Sequence, residues 1–306
     1  MKICIVQSAC FDTYKSVNTV NSGTGDNSTN RSISLSDYEG DDWINISVKN
    51  HQQYASKHNY DYYLNKEDRL PADRNISWYR VPSIFKAIEK HSPEWIFFSD
   101  VDTLFMDDTI KLESFIEKAE LLGKDLILAN QGPSEGESVE GGGKVFYDEL
   151  INFGSFFLKN SKWAKKWLSK VWDFPSQSLS HEHLLHQQYY DNCVVNMFLK
   201  QNTFETKSNS LVLSNRFFNS FFEISEWQNF LQNQLGEKPK DNGDILPANI
   251  DDIFYKEGDF RIHFTALNFE QRQAVMEEYA FRKDNPDRQK WKTVNYKRYI
   301  KGRKHR

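Results

Sequence analysis

Cysteine is scarce in this chain, long apolar runs are missing, and neither sign of charge dominates. Cys4, Cys10 and Cys193 are an odd set without metal-ligand spacing, so neither a disulfide framework nor a structural zinc is expected, and a reducing compartment suits the chain. The strongest apolar runs, Trp95–Phe98 and Leu126–Ala129, fall far short of the roughly 18 residues a membrane-spanning helix needs. Lys and Arg number 39 against 43 Asp and Glu, a net charge of -4, so no whole-molecule attraction to nucleic acid is expected. The opening Met1–Ser8 is too short for the roughly 7 to 15 apolar residues of a signal core and has no small-residue cleavage site. It reads as a first strand, and a cytoplasmic protein is expected.

Aromatic residues are plentiful. They make up 15% of 306 residues against 39% apolar overall, so the core must be built largely from rings. Charge is distributed unevenly: Arg282–Arg306 holds eleven Lys and Arg against two Asp, a local +9 that leaves -13 for the rest. The chain therefore divides into one domain, residues 1–281, and a basic tail, residues 282–306. Such a tail is either a solvated end or a peripheral contact with the inner, anionic leaflet of a membrane, worth roughly 1 kcal/mol per basic residue.

Apolar periodicity predicts alternating strands and helices. Strands are expected at Lys2–Ala9, Tyr60–Leu64, Glu94–Ser99, Asp125–Ala129, Ile151–Lys159 and Arg261–Thr265, with an extended stretch at Val212–Phe222. Helices are expected at Trp43–His58, Trp78–His91, Ile110–Leu122, Ser161–Trp172, His183–Lys200 and Glu270–Phe281. Thr13–Ser34 and Gln131–Lys144, rich in small and polar residues, read as flexible loops that could close over a ligand. Strand–helix alternation yields an α/β fold with a mostly parallel sheet covered on both faces, whose ligands sit at the carboxyl ends of the strands.

At such an end stands Trp95-Ile-Phe-Phe-Ser-Asp100-Val101-Asp102. Two carboxylates one residue apart can hold a hard divalent cation and leave positions open for phosphate oxygens. A solvated turn is the bland alternative. A haloacid-dehalogenase-like phosphohydrolase with Asp100 as nucleophile is another, although Thr103 follows the second Asp one residue too early for that motif.

The surrounding strings resemble glycosyltransferase family 34, the galactosyl-, mannosyl- and xylosyltransferases. Trp78-Tyr-Arg80-Val-Pro-Ser-Ile, His91-Ser-Pro-Glu-Trp95 and Phe98-Ser-Asp100-Val-Asp102-Thr-Leu-Phe are similar to its core block. Asn152-Phe-Gly154-Ser-Phe-Phe-Leu-Lys-Asn160-Ser-Lys-Trp163 is similar to its Asn-x-Gly block. Asp191-Asn-Cys-Val-Val and His263-Phe-Thr-Ala follow in family order. The resemblance spans about residues 45 to 270. It implies a single-domain GT-A fold, a Rossmann-like, mostly parallel sheet flanked by helices. It also implies a retaining transfer of a hexose or pentose from a nucleotide sugar, a UDP-sugar favoured over a GDP-sugar, to a glycan or lipid-linked acceptor.

Carried over residue by residue, Asp100, Asp102 and His263 would hold Mn²⁺, with Mg²⁺ as the alternative ion. Arg80, Val101, Ile5 and Gln7 would adjoin the donor, and Asp191, Asn152 and Gly154 would face the reacting sugar. Each has a plainer use: a packed histidine, a surface arginine, a helix cap at Asp191, a tight strand at Asn152 and Gly154. His181, His183 and His186 are more simply a solvated helix start than a metal site. Where the family often carries a diphosphate-binding Lys after its His-Phe-x-Gly, this chain reads Ala266-Leu-Asn268. Arg272, Arg282 or Lys283 would then supply that charge. A sugar-nucleotide-binding module without turnover is the non-enzymatic reading.

Overall fold

A computed structural model describes residues 1–9, 43–66, 74, 76–131, 134–137, 144–147, 150–177, 190–222, 254–265, 267 and 269–284. The expected loop Thr13–Ser34, the three histidines at 181–186 and all of the basic tail beyond Asp284 lie outside the described residues.

Six strands form the main sheet. They are β1 (Ile3–Ser8), β2 (Asp61–Asn65), β3 (Trp95–Ser99), β5 (Leu126–Asn130), β8 (Ile151–Lys159) and β9 (Ser210–Ser214), in the spatial order β2-β1-β3-β8-β5-β9. Only β8 runs against the rest, so the sheet is mostly parallel. The central strands read as unbroken apolar runs because both faces are covered. Alternate residues serve opposite cores: Cys4, Val6, Ile96 and Phe98 pack on one face, and Ile3, Ile5, Trp95 and Phe97 on the other.

The first face is covered by α2 (Arg80–His91), α4 (Lys162–Asp173) and α5 (Tyr190–Gln201), the second by α1 (Trp43–His58) and α3 (Glu113–Leu121). The Ser161 hydroxyl caps α4 by accepting from the Ala164 N–H, which answers one of the helix's orphan donors. Pro82 falls in the first turn of α2, after a 3₁₀ turn at Ile76–Tyr79, where its missing N–H costs nothing. Among the described residues no helix is long and apolar enough to cross a membrane.

A second, three-stranded sheet is what positions the site. In it β4 (Thr103–Phe105) pairs antiparallel with β11 (Arg261–His263), and β11 pairs parallel with β10 (Ser220–Phe221). The stretch Val212–Phe222, expected to be extended, breaks into β9, a 3₁₀ turn at Asn215–Phe217 and β10. The glycine-rich segment expected as a loop is also corrected. It contains β6 (Ser134–Glu137), which pairs antiparallel with β7 (Lys144–Tyr147). The β-forming Val145-Phe146-Tyr147 supplies a partner strand that a count of glycines overlooks. The last helix, α6 (Phe269–Asp284), runs past Phe281.

Candidate active site

The chain leaves β3 at Ser99, turns through Asp100–Asp102 and enters β4 at Thr103. Backbone bonds fix that turn from both sides: the Asp100 N–H donates to the Gly154 carbonyl at 2.7 Å, and the Phe264 N–H to the Asp102 carbonyl at 2.8 Å. Thr103 lies opposite His263 across the β4–β11 pair. Two strands of different sheets therefore deliver the carboxylates and the imidazole to one point. One ligand atom from each of Asp100, Asp102 and His263 lies within 4.8 Å of the others.

β8 forms the floor. Its register against β5 jumps between Leu128 and Ala129, whose partners are Phe156 and Asn152, and this bulge turns Asn152 and Gly154 toward the carboxylates. The Gly154 N–H donates to Asn152 Oδ1 at 2.9 Å. A Cβ at residue 154 would lie 2.5 Å from Asp100 Oδ2 and 2.8 Å from both Asn152 Oδ1 and His263 Cε1, so only glycine leaves that space open.

The donor set could hold a cation. Asn219 Nδ2 donates to Asn152 Oδ1 at 3.1 Å and to Asn215 Oδ1 at 3.2 Å. Its Oδ1 therefore faces His263 Nδ1, 3.1 Å away, and accepts that proton. His263 Nε2 faces Asp102 Oδ1, also 3.1 Å away, so it donates there when it carries a proton and offers its lone pair to a cation when it does not. Two electron-rich atoms at that separation need a proton or a metal ion between them, and an imidazole oriented through its other nitrogen is the usual arrangement of a histidine ligand. Two carboxylates and one borderline nitrogen fit Mn²⁺.

Charges of both signs ring this cluster. Arg80 is buried, not a surface charge: its Nε lies 3.0 Å from Asp191 Oδ2, its Nη2 lies 3.5 Å from Asp100 Oδ1, and its Nη1 donates to the Phe153 carbonyl. Arg272, on α6, reaches Asp102 Oδ2 at 3.3 Å and stacks over Trp43 at 4.8 Å. Burial raises the Asp100 carboxyl above its usual range, and Asp102 adds to the rise while Arg80 opposes it. Burial would raise Asp102 too, but the His263 and Arg272 charges outweigh it and hold that carboxyl low. Asp191 is raised by burial, with Arg80 the main opposing influence.

The cleft is lined by Arg80, Asp100, Val101, Asp102, Asn152, Gly154, Asp191 and His263, so most of the residues singled out in the sequence meet there. Two do not. Ile5 is fully buried among Tyr54 and Phe97. Gln7 stands one layer behind, donating toward Ser47 and the Asp100 carbonyl and accepting from Tyr62. Asp191 is 0% exposed and reaches the cleft through Arg80. Of the three cations proposed for the diphosphate, Arg272 lines the cleft, whereas Arg282 pairs with Glu278 and Lys283 lies toward Asp108.

Sequence reasoning missed Asn192, whose Oδ1 accepts from the Phe153 N–H at 2.8 Å, as well as Asn219 and Arg261. Arg261 had a readable signal. It stands two residues before His263 on a short strand, and so shares its face.

The chain is 26% identical over 152 residues to an uncharacterised alpha-1,2-galactosyltransferase of Schizosaccharomyces pombe, covering 44% of this chain and 40% of that protein. It is 28% identical over 141 residues to a probable alpha-1,6-mannosyltransferase of Saccharomyces cerevisiae, covering 42% and 36%. The matches thus span about two fifths of the length of these curated relatives. Among solved structures, a glycosyltransferase involved in glycosylation of the major capsid of PBCV-1 superposes with a TM-score of 0.54 at 14% identity, covering 91% of this chain and 100% of that one. The fold is the GT-A arrangement of glycosyltransferases. Matched from residue 26 to residue 274, the chain belongs to the galactosyl transferase GMA12/MNN10 family.

Proposed function

We propose that this protein is a metal-dependent, retaining glycosyltransferase that moves a hexose or pentose from a nucleotide sugar, a UDP-sugar in preference to a GDP-sugar, to a glycan or lipid-linked acceptor. The observation that carries the proposal is the meeting of Asp100, Asp102 and His263 donor atoms within 4.8 Å on the rim of the sheet. Those three residues would hold Mn²⁺ or Mg²⁺. The ion would supply neutralisation of the charge that grows on a departing diphosphate.

The chain's own residues do the rest. Asn219 keeps the Nδ1 proton of His263 and so leaves Nε2 free for a ligand. Arg272 shares Asp102 with His263 and supplies the fixed positive charge for the diphosphate oxygens. Arg80, locked by Asp191 and the Phe153 carbonyl, holds Asp100 in place. Asn152 and Gly154 give the sugar a floor of backbone with no side chain at residue 154. Val101 borders the cleft between the two carboxylates.

A cytoplasmic location, with the basic tail resting on an anionic membrane face, is part of this proposal. Co-sedimentation of the full chain with vesicles containing phosphatidylserine, lost on deleting residues 285–306, would support it. The phosphohydrolase reading is not favoured, since the family and the fold are those of glycosyltransferases.

The test is nucleotide release from a panel of UDP- and GDP-sugars with and without Mn²⁺, with product anomers read by NMR. Release that needs the ion, is abolished in Asp102→Asn and yields the donor's anomeric configuration supports the proposal. Saturable binding without turnover would favour a binding module instead, and phosphate release from simple esters would favour the phosphohydrolase.

A further inference from the structure

Behind the two carboxylates lies an arginine that the site's chemistry has not used. Arg261 is 1% exposed, and among the described residues no carboxylate lies within ion-pair distance of it. Its Nη1 donates to Ser155 Oγ at 3.1 Å and the Phe218 carbonyl at 3.0 Å. Its Nη2 donates to Ser99 Oγ and Thr103 Oγ1, both at 2.6 Å. The guanidinium is sandwiched between Phe97 and Phe105, 4.7 and 4.8 Å from their ring centres. A charge so deeply buried without a counter-ion in contact is costly, and an apolar residue of like volume would serve the fold better. The cost is explicable if the charge and its donors serve the turn above.

The hydroxyl protons around Arg261 are few and contested. His51 Nδ1 lies 2.9 Å from the Ser47 carbonyl, which can only accept, so Nδ1 carries the proton and the neutral ring's Nε2 accepts. Ser99 Oγ lies 2.8 Å from Nε2 and 3.1 Å from the Asp100 carbonyl, and gives its single proton to the nearer acceptor, Nε2. Thr103 Oγ1 gives its own to the Asp100 carbonyl at 2.8 Å. The two hydroxyl oxygens face each other at 2.9 Å, where either could donate, so the Thr103 proton stays on the carbonyl only while another donor occupies both oxygens. Arg261 Nη2 does so.

We propose that Arg261 is a positioning residue for the donor site. By bridging Ser99 and Thr103 it fixes the direction of the Thr103 proton onto the Asp100 carbonyl, and so fixes the turn that aims Asp100 and Asp102. It also places a cation behind two carboxylates that would otherwise repel each other. The consequence for metal binding rests on the glycosyltransferase reading above; the effect on the turn does not.

The experiment is hydrogen exchange of the 99–105 segment in the full chain without added metal, with a Mn²⁺ titration read by the EPR signal of the free ion. Arg261→Met, Arg261→Lys and Thr103→Val are compared with Leu168→Ala, a core truncation on α4. Arg261→Met should speed exchange of 99–105 at least tenfold beyond the Leu168→Ala control and raise the Mn²⁺ dissociation constant tenfold or more. Arg261→Lys, which keeps the charge and one donor, should fall between it and the wild type. Should Arg261→Met fail to fold, Thr103→Val decides, with the same expected acceleration. Exchange of 99–105 no faster than in the control, in whichever variant folds, overturns the proposal. A wild-type protein that binds no Mn²⁺ would sink the metal-dependent function, while the exchange comparison would still decide the role of Arg261.

Discussion

Gly154→Ala adds one methyl group, and its effect can be worked out in advance. The backbone there does not demand glycine: no positive φ is found at residue 154, so the constraint is space alone. A Cβ would approach Asp100 Oδ2 to 2.5 Å, about 0.9 Å inside an ordinary carbon–oxygen contact. Asp100 cannot swing freely, because its N–H is bound to the Gly154 carbonyl and its carboxylate lies 3.5 Å from the buried Arg80.

The carboxylate or the imidazole must therefore move by most of an ångström. A displacement of that order costs about 100-fold in rate, or about 2.7 kcal/mol of transition-state stabilisation. Overpacking of one methyl costs folding about 1 to 3 kcal/mol, and the loss of glycine's freedom in the unfolded chain returns about 0.4 to 1. The variant should therefore stay folded. The assay is nucleotide release at saturating UDP-sugar beside a thermal melt. A folded Gly154→Ala with a wild-type rate and wild-type Mn²⁺ dependence would refute the claim that this gap is the floor of the site.

Other outcomes follow from the same contacts. Arg272→Ala should raise KM for the nucleotide sugar about tenfold or more through loss of a charge-assisted contact to the diphosphate, whereas Arg282→Ala, whose partner is Glu278, should leave it unchanged; steady-state kinetics separate the two. His51, fully buried, has its pKa lowered well below 6.5, first by burial and then by Arg261. Folded His51 stays neutral while the unfolded chain takes up a proton below pH 6.5. Its contribution is thus intact above that pH and is lost as pH falls toward the folded value, at up to about 1.4 kcal/mol per pH unit. Urea midpoints at pH 7.5 and 5.5 should differ by less in His51→Gln than in the wild type. Ser161→Ala should cost about 1 kcal/mol by removing the cap of α4, seen as a lower melting point at unchanged turnover.

Much of the fold could be read in advance because its strands are apolar on both faces and its helices carry clear periodic stripes. Trp43–His58 and Ile151–Lys159 match the observed elements residue for residue, and Ser161 caps the helix it precedes. The second sheet was not legible. β4 is three residues long and β10 two, too short for any period to show. The β8 bulge is likewise invisible in sequence, since it exists only as a register shift against β5.

At the site, the carboxylates announced themselves through the apolar strand before them. Arg80 and Asp191, expected beside the donor and the reacting sugar, could equally be read as a surface charge and a helix cap, because nothing local reveals that one is buried against the other. Ile5 shows the opposite failure. On a strand, a neighbour of the site in sequence can point into the opposite core.

The central claim is that Asp100, Asp102 and His263 hold one divalent cation where a diphosphate departs. The most direct measurement is anomalous diffraction at the manganese edge from crystals of the wild-type protein soaked with Mn²⁺ and UDP. The account predicts one strong peak within bonding distance of the Asp102 carboxylate and His263 Nε2, shared with the diphosphate and absent in Asp102→Asn. A manganese peak elsewhere, or ordered UDP in the cleft with no metal beside those residues, would contradict it.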